Sequence, residues 1–103
     1  MSKPSHAVSA AITTLELVPS VVTEQQITLL KFYWVHAVRD GMVYRNELYG
    51  LAKEFDGSNR LEAYRFGCEL IEQGAPTIIS VSKQQYRVWV SLRNPLATIF
   101  IAS

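Results

Sequence analysis

An α+β fold, three helices followed by a two-stranded β-hairpin, is what this sequence predicts, and three observations predict it. Apolar residues recur at three- and four-residue spacing as far as Gln73, the mark of helices that bury one face. Cap and stop residues punctuate that spacing: Thr23 with Gln26, Asn46, Asn59 with Glu62, then Gly74 and Pro76. Beyond Pro76 the period drops to two, as a half-buried strand requires. A chain of 103 residues is one domain able to build a single hydrophobic core.

The elements follow in order. Residues 1–22 read as an N-terminal extension, in which Val8, Ala11, Ile12 and Leu15 form a short amphipathic helix that Pro19 ends. That helix packs on its own core or reaches a second subunit. Helix one is expected from Thr23 to Asp40. Thr23 and Gln26 make a capping box, Val22 and Ile27 a hydrophobic staple, and Ile27, Leu30, Trp34 and Val38 the buried stripe. Gly41 suits a left-handed helix end. Met42 to Arg45 is a short extended link, and Asn46 caps a second helix through Leu48, Leu51, Ala52 and Phe55. Asp56-Gly57 is a turn, and helix three runs from Ser58-Asn59 to about Gln73. In the hairpin, Ile79 and Val81, then Tyr86, Val88, Val90 and Leu92, face the core around a Lys83-Gln84-Gln85 loop. That alternation sends Trp89 outward. Asn94-Pro95 ends residues 23–94, and 95–103 is an apolar tail that reads equally as strand, helix or dimer strap.

Composition excludes some classes of function. Apolar residues make up 49% of the chain and charged residues 18%, against about a quarter charged in an average domain. The chain is therefore no disordered segment, and apolar surface is left over, which argues for a homodimer. A net charge of +1 gives no overall basic signal for nucleic acid, although a local patch would suffice. The lone Cys68 rules out an internal disulfide and fits a reducing, cytoplasmic setting. Thr13, Thr14 and Glu16 break the only candidate signal segment, and no apolar run is long enough to span a membrane.

Helix, link, helix, tight turn, helix, hairpin is an order that resembles the winged-helix superfamily. Within it, Met42 to Phe55 looks like the link and second helix, and Asp56-Gly57-Ser58-Asn59 is similar to the turn before the recognition helix. The resemblance implies a small DNA-binding transcriptional regulator. Ser58, Asn59 and Arg60 at the start of helix three would read bases in the major groove. Lys83, Gln84 and Arg87 would make wing contacts, and Arg45 a phosphate contact. Charge weighs against it. The outer stripe of helix three is Glu62, Arg65, Glu69 and Glu72, and carboxylates facing a polyanion cost free energy. The alternative is a non-catalytic adaptor or dimerisation module that binds another protein through an outward Trp89.

No enzymatic chemistry is signalled. His6 and His36, the two histidines, have no companion ligands at metal-binding spacing, so no metal or cofactor is expected. Cys68 shares a helix face with Leu61, Tyr64 and Ile71 and reads as a small buried residue. The glycines are scattered singly and form no phosphate-binding loop.

Overall fold

The computed structural model describes residues 18–102. Its main body is a six-stranded mixed sheet carrying one main helix, in place of a three-helix winged-helix arrangement. The strands are β1 (Ser20–Thr23), β2 (Thr28–Trp34), β3 (Ala37–Tyr44), β4 (Glu47–Asp56), β5 (Thr77–Val81) and β6 (Gln85–Ser91). Helix α1 (Arg60–Glu72) lies between β4 and β5, and a short helix α2 (Ala97–Ala102) follows β6. The sheet order is β1-β5-β6-β4-β3-β2, with β1 parallel to β5 and every other pair antiparallel.

The expected helix one is therefore a strand end, a single 3-10 turn and a β-hairpin. Its capping signal is real but local. Gln26 Oε1 accepts from the Thr23 backbone N–H at 2.8 Å, closing a box around Glu24–Gln26 only. From Thr28 on, the run Leu-Leu-Lys-Phe-Tyr-Trp-Val offers aromatic and branched side chains on both sides. Such a run pairs as a strand more readily than it builds a helix with a polar face. The expected link and helix two are likewise β3 and β4, joined by a tight turn at Arg45-Asn46 (φ 51 and 64). The leader stripe Val8–Leu15 and His6 lie outside the described residues, while Ser20–Val22 of the expected extension belong to β1.

Helix three and the hairpin stand where spacing places them, as α1, β5 and β6. The tail resolves as helix α2, which needs Gly50 beneath it. A Cβ at Gly50 would lie 2.4 Å from Ile101 Cδ1. The Arg39 guanidinium donates to the Ile101 carbonyl at 3.1 Å and to the Trp34 carbonyl at 3.2 Å, tying α2 to the β2–β3 hairpin.

Connectivity dictates how the sheet is shaped. β1 and β2 are its two edges, yet only Glu24–Ile27 separate them. Fully extended, that stretch reaches about 18 Å from Thr23 to Thr28. Five flat interstrand spacings would need about 24 Å. The sheet must coil, and the linking segment crosses its concave side. Ile27 packs there against a core of Val22, Met42, Tyr49, Ile78 and Trp89. The convex side carries both helices over a second core that includes Ala63, Leu70, Ile79, Val88, Val90 and Ile101. A register shift between Leu51 and Lys53 on β4 adds local twist.

Two cores on one sheet correct the reading of Trp89. Val88, Trp89, Val90 and Ser91 are all buried, so β6 is covered on both faces. Alternation does place Trp89 on the face opposite Val88 and Val90, but that face is interior. Trp89 is 1% exposed, and its indole N–H donates to Ser80 Oγ at 2.9 Å. It is no surface anchor.

One turn is strained. Val35 and His36 join β2 to β3 with φ 50 and 65, both in the left-handed region. Such two-residue hairpin turns favour Asn-Gly, and a branched residue is badly placed there. Replacing Val35-His36 by Asn-Gly is expected to stabilise the fold by about 1 kcal/mol. A thermal melt should rise by about 4–8 °C.

Candidate binding surface

A cleft of about 960 Å³ lies on the convex side, between the first turns of α1 and the β1 edge. Register explains its floor. Val21 pairs with Ile79, and Val81 with Tyr86, so these four side chains share the face below the helix. Leu61 and Tyr64 of α1 form the wall, and Ser58 and Arg60 the rim.

The helix approaches the sheet most closely along its buried stripe, and the cleft lies beside that stripe, where Val21 of β1 stays exposed. Ala63, Gly67 and Leu70, at four- and three-residue spacing, are the buried stripe of α1. At Gly67 an added Cβ would lie 3.1 Å from both Ile79 and Pro19, so the missing side chain permits close approach. Val21 remains 56% exposed and Leu61 57%. The outer edge of β1 has no paired strand among the described residues. An apolar trough thus lies beside a row of β1 backbone donors and acceptors that no strand among the described residues pairs.

The DNA-contact residues nominated from sequence do not form one surface. Ser58 is engaged locally: its N–H and hydroxyl both donate to Asp56 Oδ1, at 2.9 and 3.2 Å. Those two bonds hold the Asp56 carboxyl below its ordinary range. Asn59 precedes α1 without a side-chain cap bond, and Arg60 is exposed. Lys83 and Gln84 are exposed in the β5–β6 loop, close to this turn, since the Gly57 N–H donates to the Gln84 carbonyl at 3.0 Å. Arg87 points to the concave side and pairs with Glu24 and Glu54, each at 3.0 Å. Its charge is spent internally. Arg45 lies in the β3–β4 turn, its guanidinium 5.2 Å from the Tyr44 ring centroid. The length of β4, about 30 Å, separates that turn from Gly57. Glu62, Glu69 and Glu72 are exposed on α1, as the helical stripe implied.

Among the described residues no three His, Cys, Asp or Glu side chains gather closely enough to hold a metal ion. His36 occupies the strained β2–β3 turn. Cys68 is half-buried on α1, and burial, with Glu72 nearby, pushes its thiol up despite a hydrogen bond involving Tyr64. A raised thiol is a weak nucleophile at neutral pH. A second, more polar hollow of about 650 Å³ lies near Tyr44, Arg45, Glu47 and Tyr49. Burial first, then Glu47 and Tyr44, raise the Tyr49 hydroxyl, so it stays protonated there.

Sequence reasoning missed Val21, Tyr86 and the β1 edge as surface features, because the parallel pairing of β1 with β5 has no local signal. Among the described residues no helix is long and apolar enough to cross a membrane. No protein family, curated protein or solved structure matches the chain.

Proposed function

We propose that this chain is a non-catalytic protein-interaction domain that captures an extended, apolar segment of a partner protein along β1. The observation that carries it is an exposed apolar cleft flanking a strand edge that has no paired strand among the described residues. A peptide adding to β1 would satisfy its backbone through the open ladder, and every second side chain would enter the cleft. Val21, Leu61 and Tyr86 supply the apolar contact. Arg60 at the rim, with no ion pair among the described residues, favours an acidic residue flanking the apolar ones. A cytoplasmic setting suits the free Cys68.

Selection of displayed peptides against the whole chain tests this. The expected winners alternate apolar residues beside an acidic one. Leu61→Asp should weaken them about tenfold or more while leaving the melting temperature within a few degrees, because Leu61 is exposed. Peptides indifferent to Leu61→Asp would overturn the cleft. Salt-sensitive binding to duplex DNA that Arg60→Glu and Lys83→Glu abolish would instead favour the nucleic-acid reading.

A further inference from the structure

We propose that β2, the opposite edge of the sheet, pairs antiparallel with β2 of a second copy of this chain, about a two-fold axis at Phe32. This surface is separate from the cleft. β2 is seven residues long, holds its register with β3 throughout and contains no proline. Its outer edge has no paired strand among the described residues. Proteins usually guard such an edge with bulges, prolines or charges. Here the single charge on the strand is Lys31, and Asp40 across β3 already pairs with it. Beside that pair stands an apolar strip. Tyr33 is 70% exposed, and Val38, directly opposite it on β3, 68%.

Charge and side-chain pattern choose the occupant and the register. In an antiparallel pair, directly opposite residues lie on the same face, so the axis falls on a residue. An axis at Lys31 would oppose two ammonium groups, which is destabilising. An axis at Leu30 would leave Tyr33 and Trp34 beyond the paired stretch. An axis at Phe32 sets Lys31 against Tyr33 of the second copy, Leu30 against Trp34, and Phe32 against Phe32. Symmetry repeats the first two contacts, so one strand supplies both halves of a complementary edge. The ammonium of Lys31 then lies beside an aromatic ring, an attractive arrangement.

Sedimentation of the whole chain across a concentration series tests both the dimer and its register. The parent chain is expected to dimerise reversibly. Tyr33→Lys would oppose Lys31 twice and weaken the dimer about tenfold, whereas Tyr33→Glu would give each Lys31 a carboxylate and hold it at least as tightly. Both variants should fold, since the side chain is exposed; a thermal melt verifies this. A chain that stays monomeric at every concentration overturns the proposal. So does a dimer that both variants weaken equally or that neither affects.

Discussion

Trp89→Ala is expected to destabilise the chain by about 3–5 kcal/mol, the range for emptying a large aromatic site in a close-packed core. Small domains are stable by only about 5–15 kcal/mol, so the variant should sit near the edge of folding. The reason is the position of the indole. It fills the concave side of the sheet between Ile78 on β5 and Leu51 on β4, its register neighbours, and packs in one cluster with Val22, Met42 and Tyr49. Removing it leaves the crossing segment at Ile27 without its floor. It also strips the Ser80 hydroxyl, itself fully buried, of its 2.9 Å donor. Ser80→Ala removes the same bond from the other side and orphans the indole N–H, at a cost of about 1–3 kcal/mol. Denaturant unfolding monitored by circular dichroism measures both, and Ser80→Ala remains readable if Trp89→Ala does not fold. An unchanged unfolding midpoint for Trp89→Ala, with loss of a partner, would return the indole to the surface.

The same residue shows how far the sequence was legible. Val88-Trp89-Val90 reads as alternation with one outward residue only if the other face of the strand meets water. A central strand buried on both faces has no such alternation, and its run of large apolar residues is the signal that applies. The helix over Arg60–Glu72 was legible because its helical spacing, its start near Asn59 and its Gly74 stop agree. Its buried face, however, is Ala63, Gly67 and Leu70, not the expected face of Leu61, Tyr64, Cys68 and Ile71, of which Leu61 and Tyr64 are exposed. The β5–β6 hairpin was legible because strand and loop signals are adjacent. β2 to β4 were not. Leu30, Trp34 and Val38 fit a helical stripe by count, while the turns that contradict a helix are at Val35-His36 and Arg45-Asn46. The first is a poor turn sequence forced into place by the pairing on either side. In the second, Asn46 fits a left-handed position and a helix cap equally well. The candidate cleft was less legible still. It depends on β1 lying parallel beside β5, a pairing between residues nearly sixty positions apart that no local spacing reports.

Leu70→Ala and Leu61→Ala, the same change one face apart on α1, should separate folding from binding. Leu70 is 1% exposed and belongs to the convex core with Ile79, Val88 and Val90. Its truncation should destabilise by about 2–5 kcal/mol, towards the upper end if the sheet cannot relax into the space. β5 and β6 are held on both sides by other strands, which limits that relaxation. Leu61 stands over the open cleft, already in water, and leaves no cavity when shortened. Its truncation should move stability by no more than about 0.5 kcal/mol. A peptide seated on β1 would bury it, so the same change should weaken capture by about 1–2 kcal/mol, roughly a five- to thirtyfold loss of affinity. Denaturant midpoints for the two variants, set beside peptide titrations of Leu61→Ala, decide the matter. If Leu61→Ala lowers stability as much as Leu70→Ala, the trough is part of the core in solution. The helix would then close onto β1, and the binding surface would have to be sought elsewhere.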